Sequence, residues 1–138
     1  MTSNRTVGGL LRAYYRALDE PDLDRLDELL AADCHWRFPG SQLRGPGQVR
    51  ESMARSLATG LSMTHTIGHL LEAGDTAICE LVATNRFPDA EYRVAGAVVC
   101  EARDGRITRL VAYPDAAEMT AFLAGLRERA RARRAGSG

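Results

Sequence analysis

From Met63 onward the chain spells out four long apolar-alternating runs, separated by three short turn signals and ended by a proline. This feature constrains the fold more than any other. Met63 to Leu71 stops at Glu72-Ala73-Gly74-Asp75. Thr76 to Phe87 stops at Pro88-Asp89, Tyr92 to Ala102 at Arg103-Asp104-Gly105, and Arg106 to Tyr113 at Pro114. Gly and Asp tolerate the left-handed backbone that tight turns need, and proline cannot extend a strand ladder, so these breaks predict an antiparallel meander.

The half before this meander is helical in period. Leu10, Leu11, Tyr14 and Leu18 recur at helical spacing over Val7 to Leu18. Pro21 ends that helix, and Asp22 is placed to cap a second one, whose buried stripe is Leu23, Leu26, Leu29 and Leu30. Cys34 to Phe38 alternates as a short strand that Pro39-Gly40 breaks. Arg44-Gly45-Pro46-Gly47 reads as a loop, and Gln48 to Ala58 as a third helix with Val49, Met53 and Leu57 along one side. Asp115 is the expected N-cap of a last helix reaching Arg133. Helices segregated from a meander predict an α+β domain with its helices packed on one sheet face. The expected boundaries are one domain over residues 1–125 and a basic, solvated tail over 126–138.

Composition narrows the chemistry. All 18 basic residues are arginine, so no lysine is present to form a Schiff base. Formal net charge is zero, and no global field recruits nucleic acid. The tail is the exception: Arg127, Arg129, Arg131, Arg133 and Arg134 face only Glu128, a net of +4. The cysteines, Cys34, Cys79 and Cys100, are odd in number and widely spaced, which speaks against a disulfide framework or a zinc site. No apolar run approaches a membrane span, and the polar start lacks a signal-peptide core, so a cytoplasmic protein is expected.

The run Tyr14-Tyr15-Arg16-Ala17-Leu18-Asp19, then Asp22-Leu23-Asp24 and Leu29-Leu30-Ala31-Ala32-Asp33, resembles the opening of bacterial ketosteroid isomerases and SnoaL-like polyketide cyclases. Phe38-Pro39-Gly40, Arg44-Gly45, Gly74-Asp75-Thr76-Ala77 and Ile107 to Asp115 continue the likeness. These are groups of the nuclear transport factor 2-like superfamily. The resemblance implies a cone: a strongly curved, mainly antiparallel sheet whose concave face closes a pocket under the helices. Many relatives are dimers, and the half-apolar outward set Ile78, Val82 and Val99 marks the convex face as an expected dimer surface.

Anchored on that pattern, the pocket-facing residues are Trp36 and Phe38 from the first strand, and Leu81, Asn85, Val98 and Leu110 from later ones. Met53 and Leu57 line it from the third helix. His65, Ile67, His69 and Leu71 share one strand face, expected to be the concave one. Tyr14 enters from the first helix, and Tyr15, one position round, is expected to face elsewhere.

The resemblance also shows what is missing. The positions of the isomerase base and acid hold Phe38 and Val98, so a carboxylate proton shuttle of that kind is absent. The Arg and two Asp of limonene-epoxide-hydrolase-like enzymes fall on Leu81, Ala83 and Ala112. Scytalone-dehydratase-like enzymes place a histidine near the start of the first long strand, where His65 stands. His65 and Tyr14 are therefore the expected catalytic pair, one to move a proton and one to polarise an oxygen. His69 and Asn85 would orient a ligand, and no metal or other cofactor is called for. The expected ligand is a hydrophobic, oxygen-bearing metabolite turned over by a cyclase, isomerase or dehydratase step. Two other readings stand beside it: a cavity that binds or shapes a ligand without catalysis, and a protein-interaction module.

Overall fold

Each expected turn falls between two strands of a single six-stranded sheet. The computed structural model describes residues 6–136. In chain order it runs α1 (Val7–Asp19), a 3-10 turn (Leu23–Arg25), α2 (Leu26–Leu29), β1 (Leu30–Phe38), β2 (Ser41–Arg44) and α3 (Gly45–Leu57). There follow β3 (Ser62–Ala73), β4 (Thr76–Phe87), β5 (Ala90–Arg103), β6 (Arg106–Pro114) and α4 (Ala116–Gly136). The sheet order is β2-β1-β6-β5-β4-β3. All neighbours are antiparallel except β1 and β6, which run parallel. Asp104 and Gly105 both take positive φ (54° and 75°), the backbone of the two-residue hairpin turn that matches strand twist.

The helices sit on one face. α1 lies against β3, α3 against β1 and α4 against β5. Thr6 caps α1 by accepting the Gly9 N–H at 3.0 Å. Asp115 caps α4 as the sequence indicates, accepting the Glu118 N–H at 2.9 Å. The Glu118 carboxylate in turn accepts the Ala95 N–H at 2.8 Å, which ties the start of α4 to β5. The core between layers holds Leu10, Leu11 and Leu18 of α1, Leu26 and Leu29 of α2, and Cys100 and Ile107 of the sheet.

Four local expectations are corrected. The second helix is only a 3-10 turn and a single α-turn, and Asp22 makes no capping bond. Leu30 is already strand, because pairing with Ile107 of β6 captures the chain there. The loop at residues 44–47 is instead the end of β2 and the start of α3. Pro46 occupies the first turn, where its missing N–H costs nothing, and Gln48 reaches back to accept the Arg44 N–H at 2.8 Å.

The third correction concerns parity in β3. Ile67 pairs with Leu81 but Leu70 pairs with Cys79, so Gly68 and His69 together oppose Glu80. This bulge inverts the alternation. Leu70 turns inward, while Leu71 is 75% exposed. His69 also points outward and pairs with Glu80 at 2.6 Å.

The fourth concerns Arg129 alone within the C-terminal segment expected to be solvated, of which residues 131–136 are exposed. The Arg129 guanidinium lies 4.3 Å over the Phe87 ring and contacts Asp89 at 2.8 Å. Gly125, one turn earlier, sits so close to Tyr92 that an added Cβ would meet its hydroxyl at 2.5 Å. α4 is thus seated on the β4–β5 corner through Arg129.

Candidate functional site

The concave sheet face and helices α1, α3 and α4 enclose a cavity of about 230 Å³, partly open to solvent. That exceeds the roughly 150 Å³ of a cavity that accepts benzene. Its walls are mostly apolar. Trp36 and Phe38 stack with ring centres 5.2 Å apart and form one side. Leu81, Ala83, Val98, Leu110 and Ala112 come from alternate positions of β4, β5 and β6, as period-two geometry requires. Gly96 is obligatory here: a Cβ would stand 2.6 Å from Pro114 Cα, because β5 passes tightly under the corner that leads into α4.

Polar groups on this wall are few. Tyr14 is buried and its hydroxyl accepts the Trp36 Nε1–H at 2.7 Å. Burial raises the phenol well above its ordinary pKa, so it stays neutral and keeps a proton to donate. Asn85 donates through Nδ2 to the Tyr92 carbonyl at 3.2 Å, which leaves its Oδ1 for the cavity it lines.

His65 is the most elaborated group. Its side chain is only 7% exposed. Asp19, the last residue of α1, holds it twice: Oδ2 accepts the His65 backbone N–H at 2.8 Å, and Oδ1 meets ring Nδ1 at 2.6 Å. The Tyr15 ring covers the imidazole with centroids 4.6 Å apart. His65 lines the cavity on one side and a surface groove with Arg12, Arg16 and Asp19 on the other. A carboxylate on Nδ1 selects the tautomer with the proton there and leaves Nε2 as a base.

The structure brings Tyr14, His65, Trp36, Phe38, Met53, Leu81, Asn85, Val98 and Leu110 to the wall of this one cavity. Two expected residues are not there. His69 is turned to the convex face by the bulge, with its side chain 94% exposed. Leu57 packs into the core beside the cavity, and Ser52, Met53 and Ser56 are the α3 residues that reach it.

Sequence reasoning missed Tyr15 and Asp19. Tyr15 does not face elsewhere; the cavity is wide enough to take two adjacent positions of α1. Tyr15 and Asp19 are four residues apart and so share a helix face, a signal that was present. What the sequence did not supply is that β3 packs against that face.

A profile of SnoaL-like domains matches residues 11–110. The chain belongs to this family. No curated protein matches the sequence. Among solved structures, an LEH-like epoxide hydrolase from M. tuberculosis superposes with a TM-score of 0.73 at 23% identity, covering 92% of this chain and 93% of that one. A protein designated a SnoaL-like polyketide cyclase from Shewanella denitrificans gives 0.75 at 18% identity, covering 86% and 96%. A ketosteroid isomerase-like fold from Catenulispora acidiphila, in complex with trimethylamine, gives 0.70 at 24%, covering 78% and 86%. These likenesses establish the nuclear transport factor 2-like cone.

Proposed function

We propose that the protein is a cofactor-independent acid–base enzyme acting on a hydrophobic, oxygen-bearing metabolite. The step is an isomerisation, cyclisation or dehydration of the polyketide or terpenoid type. One observation carries this reading: a histidine oriented by a half-buried carboxylate contact borders a mostly apolar cavity that a neutral tyrosine also lines.

Nε2 of His65 removes a proton from carbon next to a carbonyl. The Tyr14 O–H donates to the carbonyl oxygen as negative charge develops there. The imidazolium, its charge balanced by Asp19, returns the proton to another carbon, to give an isomer, or to a departing hydroxyl, to give water and an alkene. The apolar wall keeps bulk water from competing for the enolate.

Proton exchange at the α-carbon of 2-tetralone in heavy water tests the step without knowledge of the natural substrate. Wild type accelerates the exchange, and His65→Gln removes most of the acceleration, about 10²–10⁴-fold for a positioned base. Tyr14→Phe lowers it less if the tyrosine only orients the ketone, and comparably if it stabilises the oxyanion. Exchange unaffected by His65→Gln would refute the proposal.

A second reading draws on the lack of any Asp or Glu side chain among the described residues that line the cavity. A cavity that only shapes a self-reacting ligand needs no such group. Trp36→Ala would then be the most damaging change, and neither His65→Gln nor Tyr14→Phe would matter.

A further inference from the structure

The cavity is not apolar throughout. Ser52 and Ser56, four residues apart on one face of α3, line it together with Ser41 of β2. α4 supplies Leu126 and, next to it, Arg127. Arg127 is solvent-exposed, and among the described residues no hydrogen bond or ion pair holds it. Its neighbour Arg129 behaves in the opposite way, spent on Asp89, the Gly125 carbonyl and the Phe87 ring. Arg129 and the close Gly125–Tyr92 contact fix α4 on both sides of Arg127. A rigid helix therefore places an uncommitted arginine in the lining of the cavity, along with three hydroxyl-bearing side chains.

We infer that the ligand of this cavity is an acid, with an apolar body in the cavity and a carboxylate bound by Arg127. The inference rests on the proposed function and sharpens it to a substrate class. A guanidinium offers two parallel N–H donors that match one carboxylate, and serine hydroxyls add donors without adding charge. A single arginine neutralises a monoanion; a phosphate dianion would call for more positive charge. The arrangement also assigns a direction, because the carboxylate stays at the exposed arginine while the reacting part of the body lies among the buried residues.

The test compares cyclohexanecarboxylate with cyclohexanecarboxamide, which share a shape and differ in charge. Trp36 is the chain's single tryptophan and lines the cavity, so its fluorescence reports both titrations. Wild type is expected to bind the carboxylate about tenfold more tightly than the amide at low salt, the size of a charge-assisted hydrogen bond. High salt should narrow the gap. Arg127→Gln should abolish the preference while leaving amide affinity and melting temperature unchanged. Arg131→Gln, an exposed site off the cavity, should keep it. Equal binding of both ligands by wild type, or a preference that survives in Arg127→Gln, overturns the carboxylate inference and leaves the acid–base reading intact. Binding of neither overturns both.

Discussion

Asp19→Asn should move one proton from Nδ1 to Nε2 of the His65 ring and thereby disable the site. In the wild type both carboxylate oxygens are engaged by His65, one by its backbone N–H at 2.8 Å and one by Nδ1 at 2.6 Å. Asparagine has one oxygen and one NH₂. The backbone N–H needs an acceptor, so the amide oxygen must stay there, and the NH₂ then faces Nδ1. A donor facing Nδ1 forces that nitrogen to carry its lone pair, and the ring proton moves to Nε2. The nitrogen proposed as the base becomes a donor. The expected loss of α-exchange activity is about 10²–10⁴-fold, as for removal of a positioned base. Stability should fall by only about 1–2 kcal/mol, the cost of weakening charge-assisted hydrogen bonds. Long-range ¹H–¹⁵N spectra of the imidazole, recorded above the pH of its titration, read the tautomer directly. Only His35 and His69 need to be told apart from it. A wild-type ring already protonated at Nε2, or a tautomer unmoved by Asp19→Asn, would refute the reasoning.

Other outcomes follow from the packing. Gly96→Ala should lower the urea-unfolding free energy by at least the roughly 1–3 kcal/mol of an overpacked site, because its Cβ would meet Pro114 Cα at 2.6 Å and the Tyr113 carbonyl at 2.7 Å. Cys34, Cys79 and Cys100 are buried, and burial pushes the Cys100 thiol up to about 12. Thiol titration should find them unreactive in the folded protein and all three reactive in urea. Removal of residues 130–138 should leave the melting temperature within about 2 °C of the parent, whereas Arg129→Ala should lower it by about 2–4 °C. We expect a dimer through the convex face around Ile78, Val82 and Val99, where Leu71 and Ile78 are cross-strand neighbours and 75% and 49% exposed. Light scattering at about 10 µM should show two chains for wild type and one for Ile78→Glu; a monomeric wild type would contradict it.

Much of the architecture is legible in the sequence because it is written in local chemistry. Gly74, Asp104-Gly105, Pro88 and Pro114 bound strands whatever surrounds them, and Asp115 caps its helix with its own side chain. Tyr14, Trp36 and Asn85 could be assigned to the cavity wall since period-two and helical spacing need only one anchor each. Tertiary choices were not legible. Leu30 becomes strand only because β6 is there to pair with it, and Asp19 becomes a partner of His65 only because α1 crosses β3. Arg129 read as tail charge because nothing in its neighbourhood in sequence announces Phe87 or Asp89.

The extra residue at Gly68–His69 bears on how this chain should be compared with its relatives. A strand carries one binary instruction per residue, inward or outward, and the extra residue reverses every instruction after it. Two sequences aligned without a gap through this point, one with the extra residue and one without, would agree up to Gly68 and disagree in facing from His69 on. A histidine matched to His69 in such an alignment would be assigned to a pocket that His69 never sees. The deletion of Gly68 would remove the bulge without that reversal in the molecule. His69 alone would then oppose Glu80, and Leu70 would stay inward, Leu71 outward and His65 where it was.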